Sequence, residues 1–209
     1  MQWNWQIDTE PGTPEQNMAV DAALLAGLSE EDNGYAAIRV YSWDRPSVSI
    51  GRLQNEDSVR ELYPDFPIVR RPTGGRAVLH GDDLTISVAL RLDRLPTDCR
   101  TVLTSHQLIM DGVKVALEKL GLDICFGGYA IGSQRSLINC FELAASCDLV
   151  DSHTGKKLVG SAQRREGPAL LQQISLPLRI VPDKKAFLVH LKSAYQSTFA
   201  IREWCDVFT

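Results

Sequence analysis

No two cysteines in this chain stand in a Cys-x-x-Cys spacing, and their total of five (Cys99, Cys125, Cys140, Cys147, Cys205) is odd. That pattern speaks against a zinc site and against a complete disulfide framework, and thiols kept reduced point to the cytoplasm. No apolar run approaches the ~20 residues of a membrane span. After Met1 come polar Gln2, Asn4, Gln6 and Asp8 instead of the charged-then-apolar start of a signal peptide. Low-complexity tracts, internal repeats and long linkers are also missing, so residues 1–209 are expected to form a single domain. An excess of basic charge is absent too. The 22 Lys and Arg against 26 Asp and Glu give a net charge of −4, which argues against general nucleic-acid binding.

Hydrophobic residues at 44% and charged residues at 23% describe an ordinary globular chain able to bury a core without staples. Trp3 to Ile7 alternates as an opening strand does. Thr13-Pro14-Glu15-Gln16 reads as a helix start with a capping box, and Met18, Ala22 and Leu25 are expected on its buried side before Gly27 weakens it. Ala36–Tyr41 and Ser47–Gly51 form two strands joined through Trp43-Asp44-Arg45-Pro46. In Thr85 to Leu90, Ile86, Val88 and Leu90 alternate with Thr85, Ser87 and Ala89 at the period of a strand. Thr101 to Leu120 is the clearest helix, with Val102, Ile109, Val113, Ala116 and Leu120 on one face and Gly121 as its stop. Leu122–Phe126 returns to the sheet. Leu149-Val150 and Leu158-Val159 flank a hairpin turn, Ala169–Leu176 is another strand, and Pro182-Asp183 opens a last helix with Phe187, Leu191, Ala194 and Thr198 on one face. Strands in pairs with few helices between them imply an α+β fold around a mostly antiparallel or mixed sheet.

Two blocks carry chemistry. The first, Arg70-Arg71-Pro72-Thr73-Gly74-Gly75-Arg76-Ala77-Val78-Leu79-His80, sets adjacent glycines among three arginines. Glycines let the backbone approach a ligand, and arginines supply forked donors for an anionic one. The second is Gly155-Lys156-Lys157-Leu158-Val159-Gly160-Ser161-Ala162-Gln163-Arg164. Basic residues gather in these blocks, which suggests a local site for an anion or an acidic partner on an otherwise acidic chain.

The order Arg-Arg-x-x-Gly-Gly-x-x-Val-x-His, a strand, then Gly-Lys-Lys-x-x-Gly-Ser-Ala-Gln resembles the lipoate–protein ligase, biotin ligase and octanoyltransferase superfamily. Asn17 to Asp21, Arg39 to Trp43, Ser49 to Gly51 and Gln54 extend the resemblance upstream. It implies an α+β catalytic domain that transfers a medium-chain acyl group to a lysine on a small carrier domain. Ligases of this kind activate free lipoate with ATP and Mg; transferases take octanoate from acyl carrier protein and need no cofactor. Arg76 stands where ligases usually carry a third glycine, and in this it resembles the cysteine-dependent octanoyltransferases. Cys140, in Ile138-Asn139-Cys140-Phe141, lies where those enzymes carry their nucleophile. The chain ends soon after the last helix, which leaves no room for the C-terminal accessory domain of many ligases. No Gly-Arg-Gly-Arg-type segment of the biotin ligases is found.

The resemblance therefore implies Cys140 and Lys157 as catalytic residues, the thiolate attacking a thioester and the ammonium stabilising the oxyanion. It implies Arg71, Gly74, Gly75, Arg76, His80, Gly160, Ser161 and Ala162 as substrate-binding, with small residues letting an acyl tail pass close to the backbone. His80 has two readings, a structural histidine or a polar wall of the acyl pocket. Gly81 stands where an aspartate is common, with Asp82 or Asp83 as possible substitutes. Lys156, next to Lys157, is expected to point to solvent. The implied partners are octanoyl-acyl carrier protein and either a lipoyl domain or a glycine-cleavage carrier, with no nucleic acid, membrane or metal.

Overall fold

The computed structural model describes residues 2–30, 35–127 and 146–209. Among them, β1 (Gln2–Ile7), β2 (Tyr35–Tyr41), β6 (Asp83–Arg91), β7 (Ile124–Phe126), β8 (Leu149–Asp151), β9 (Lys157–Glu166), β10 (Ala169–Pro177) and β11 (Trp204–Phe208) form one sheet. Its order is β11-β1-β2-β6-β10-β9-β8-β7, with β1 parallel to both neighbours and the remaining pairs antiparallel. The sheet is thus mixed. A second, smaller sheet has β3 (Ser47–Ile50) between β4 (Ile68–Arg70) and β5 (Val78–His80).

Helices cover both faces of the large sheet. On one, α3 (Val102–Lys119) and α4 (Lys184–Thr198) bury Ile109, Val113, Phe187 and Leu191 against Ile38, Ile86, Val88 and Ile174. On the other, α1 (Pro14–Glu30) packs Leu25 and Leu28 on Ala89, Ala169 and Leu171. The small sheet lies on the α1 side, where Val69 meets Met18, Tyr41 and Trp43. A short α2 (Glu56–Arg60), capped by Asn55, links β3 to β4.

The helix starts follow their sequence signals. The Gln16 amide donates to Thr13 Oγ1 at 3.2 Å and the Thr13 amide to Gln16 Oε1 at 3.0 Å, a reciprocal capping box. Asp183 caps α4 by accepting from the Ala186 amide at 2.8 Å.

Three expectations need correction. Ala22 is exposed, and the inward side of α1 is Asn17, Met18, Asp21, Leu25 and Leu28. Two polar residues hold inward positions because the opposite strand supplies their partners, which no pattern of apolar residues can show. Val102, in the first turn of α3, is also exposed, and the buried stripe starts at Ser105. Finally, β11 follows the last helix and pairs in parallel with β1, Trp3 opposite Trp204. Its five residues carry a signal too short to read without the edge that receives them.

Candidate functional site

Asp21 organises the layer between α1 and the large sheet. Its carboxylate accepts from Arg39 Nη1 at 2.9 Å, the Tyr41 hydroxyl at 2.8 Å, Ser87 Oγ at 2.6 Å and Gln173 Nε2 at 2.6 Å. Arg39 sends its remaining N–H groups to Asp8 and to Asn17. Burial first, and Asp21 second, push the Tyr41 phenol far above the ordinary tyrosine range. The polar face of β6, with Ser87 and Thr85, is thus turned to a buried polar layer and not to water.

Tyr41 and Gln173 wall a cleft of mainly apolar lining with a few polar groups, the character of a small-molecule site. Met18, Trp43, Val78 and Ile174 give it apolar surface; Ser49, Arg71, His80 and Ser175 give it polar groups. Gly160, Ser161 and Ala162 of β9 form part of its wall. A wider opening adjoins it, lined by Lys157, Asp83, Lys156, Pro46 and Arg179, and His80 and Ser175 border both spaces. The structure therefore brings Arg71, His80, Gly160, Ser161 and Ala162 to one cleft, with Lys157 next to it.

Gly74, Gly75 and Arg76 belong to the β4–β5 connection and line neither space. That loop is held tightly. A side chain on Gly51 would meet the Gly75 carbonyl oxygen at 2.0 Å, and Gly75 has φ +87°, a left-handed conformation suited to glycine. Arg71 is the buttress. Its Nε and Nη2 donate to the Gly74 carbonyl, Nη2 also to the Arg76 carbonyl at 2.7 Å, and Nη1 to Ser49 O and Oγ at 3.0 and 3.1 Å. Arg70 likewise donates to the carbonyls of Gly51, Arg52 and Gln54. These arginines shape the loop more than they present charge.

Lys157 faces the cleft side because of a β-bulge. By strict alternation it would share a face with Val159, which lies in the apolar core. The pairing instead steps from Leu149–Val159 to Val150–Lys157, so Leu158 is the extra residue and packs with Val159 on the core. Such a bulge re-aims the side chain beside it. Lys157 is 7% exposed, and its Nζ lies 2.8 Å from Asp148 Oδ2, itself buried. Lys156 points to solvent, as adjacent strand residues do.

His80 is held at both ring nitrogens, Nδ1 2.8 Å from Asp83 Oδ2 and Nε2 2.8 Å from Ser49 Oγ, with Trp43 stacked on its face at 3.9 Å. Asp83, and not exposed Asp82, is the carboxylate that serves it. Burial by itself would raise the Asp83 pKa, but the charge and hydrogen bond of His80, with those of Ser175 and the Gly81 amide, hold it below the usual carboxylate range.

On the opposite face of β9, His106 of α3 bonds Ser161 through Nε2. Burial lowers its pKa from 6.5 to about 4, Asp148 opposing and Lys157 adding to the shift. Because the folded value is the lower one, the unfolded chain takes up this proton first. Stability is complete above about pH 6.5 and falls as pH drops towards 4. We predict that His106→Gln removes this component. The wild-type melting temperature should fall relative to the variant's across that window, and parallel curves would contradict the assignment.

Cys140 lies outside the described residues. Of the others, Cys147 is buried and its thiol is pushed up by that burial, with Asp148 adding to it, so it is a poor nucleophile. Ser49, Asp148, Ser175 and His106 were not readable as site residues. Asp148 alone had a signal, a single acid opening the strand across the hairpin from Lys157. Among the described residues no helix is long and apolar enough to cross a membrane.

Known proteins resemble this chain in sequence and in fold. The octanoyltransferase LipM of an Exiguobacterium species is 36% identical over 188 residues, covering 83% of this chain and 65% of the relative. The chain thus spans about two thirds of the length of such curated relatives. A lipoate-protein ligase A bound with ATP superposes with a TM-score of 0.76 at 18% identity, over 100% of this chain and 90% of that one. A bi-partite lipoate protein ligase from Thermoplasma acidophilum, studied with its E2 lipoyl domain, gives 0.72 at 20% identity, over 100% and 88%. At those identities the structures speak for the fold alone. Residues 13–199, which hold the capping box of α1, the arginine–glycine loop, His80 and Lys157, match the lipoyl protein ligase A/B catalytic domain, and the chain belongs to that family.

Proposed function

We propose that this protein moves an octanoyl group from acyl carrier protein to a lysine of a lipoyl-carrier protein, through a thioester on Cys140. The observation that carries this reading is the buried Lys157 ammonium beside a mainly apolar cleft walled by Gly160, Ser161 and Ala162. The name of the sequence relative supports the choice of acyl group and of chemistry.

The apolar wall takes the acyl tail, and the carbonyl comes to rest near Lys157. There the ammonium, its direction set by Asp148, stabilises the oxyanion of each tetrahedral intermediate. Cys140 attacks the carrier thioester and releases the pantetheine thiol; the acceptor lysine then attacks the acyl-cysteine, forming the amide and freeing the thiol. The donor arrives already activated, so this reading requires no ATP, Mg or other cofactor. The acceptor is a lipoyl domain or a glycine-cleavage carrier.

Incubation with octanoyl-acyl carrier protein should add one octanoyl group to the protein by intact mass. Cys140→Ser should abolish that adduct or convert it to a stable ester. An unmodified protein that still transfers octanoate would end the covalent mechanism. Lipoate-dependent release of pyrophosphate from ATP would replace the transferase with a ligase.

A further inference from the structure

His80 is bonded at both nitrogens, and for the neutral ring the direction of each bond follows from its partners. Asp83 accepts the Ser175 hydroxyl at 2.8 Å and the Gly81 amide at 3.1 Å, as an ionised carboxylate does. Facing that carboxylate, His80 Nδ1 must carry a proton and donate. In the neutral ring Nε2 is then an acceptor, so the Ser49 hydroxyl donates to it. Arg71 Nη1 can only donate, and it does so to Ser49 Oγ at 3.1 Å. Ser49 Oγ has two lone pairs, and Arg71 takes one. With the His80 ring neutral, the chain of bonds runs one way, Arg71 to Ser49 to His80 to Asp83.

Its position gives this order a use. Ser49 and His80 wall the inner cleft, while His80 and Asp83 also border the wider opening beside Lys157. An amine entering from the opening to reach an acyl carbonyl near Lys157 passes this point. Trp43, stacked on the ring, fixes its plane and covers one face.

We propose that Ser49, His80 and Asp83 form a proton relay that accepts the proton of the attacking lysine amine. The inference rests on the acyl-transfer reading but not on the identity of the leaving thiol. As the amine nitrogen bonds to the acyl carbon, its proton passes to Ser49 Oγ and the Ser49 proton to His80 Nε2. Asp83 holds the resulting imidazolium. When the carbon–sulfur bond breaks, the proton returns by the same path to the departing thiolate, leaving amide, thiol and a neutral relay. Asp83 is a positioning residue, setting the tautomer; Ser49 is the group that meets the substrate.

The test compares two acceptors with octanoyl-acyl carrier protein as donor, a lipoyl domain bearing its lysine and hydroxylamine. Hydroxylamine is a weak base, unprotonated at neutral pH, and depends far less on a general base. In Ser49→Ala the ratio of the lysine rate to the hydroxylamine rate should fall on the order of 100-fold, the usual size of general-base assistance. Asp83→Asn should lower the same ratio, and it serves where Ser49→Ala does not fold. Damage to the site alone would lower both rates together. An unchanged ratio in the variants therefore overturns the relay. A wild-type protein that acylates neither acceptor overturns acyl transfer itself, and the relay with it.

Discussion

On the proposed acyl transfer, replacing Lys157 by methionine should lower the rate by about 100- to 1,000-fold, the cost of removing one donor aimed at an oxyanion. The same substitution destabilises the fold, because it leaves Asp148 buried without its partner at 2.8 Å. Breaking a buried pair from one side costs about 3–5 kcal/mol. For a chain of this size that lowers the melting temperature on the order of 10 °C. Activity and stability can be separated with a second change. Lys157→Met combined with Asp148→Asn removes the buried negative charge, so melting should recover part of the loss while transfer stays low. Transfer near the wild-type rate in either variant would show that the ammonium has a structural role only. The alternative outcome, recovery of both activity and stability in the double variant, would place the catalytic group elsewhere.

Arg39→Leu should be the most destabilising single change on the α1 side. The guanidinium serves Asp8, Asn17 and Asp21, and stacks over Tyr41 at 4.0 Å. Its loss leaves Asp21, fully buried, with hydroxyl and amide donors but no cation. The expected cost is again about 3–5 kcal/mol, read as a fall in melting temperature on the order of 10 °C. Adding Asp21→Asn should restore part of it by removing the uncompensated charge. The effect also reaches the cleft, since Tyr41 and Gln173 are held by the same carboxylate and wall that space. Acyl-donor affinity should therefore weaken in Arg39→Leu even under conditions where the variant is fully folded. A variant that melts with the wild type would show that the network is dispensable for stability.

The site was legible in part, and the boundary has a physical cause. Local signals named the loop at Gly74 and Gly75, the hairpin before Lys157 and the separation of Lys156 from Lys157, because turns and strand alternation are written in neighbouring residues. The partners were not legible. Ser49 and His80 are 31 residues apart and Arg39 and Asp21 are 18 apart, and such bonds depend on how sheets stack. The polar residues Asn17 and Asp21 can hold an inward helix face because Arg39 lies across from them. The arginines of the first block suggested a site for an anion, whereas Arg71 turns its donors to the loop's own carbonyls and Arg70 to those of Gly51, Arg52 and Gln54.

The sequence by itself determined the α+β class, the helix starts at Thr13, Thr101 and Asp183, and most strands. Each of these rests on periodicity, capping or turn chemistry acting over a few residues. Tertiary structure alone decided that β11 closes the sheet beside β1, that Asp83 and not Asp82 serves His80, and that Asp148 holds Lys157. It also decided which way Lys157 points. Alternation would have sent that side chain into the apolar core with Val159, and a single extra residue, Leu158, turns it to the opening beside the cleft. A bulge exists only when a partner strand is present to set the register, so no reading of one strand could have placed it.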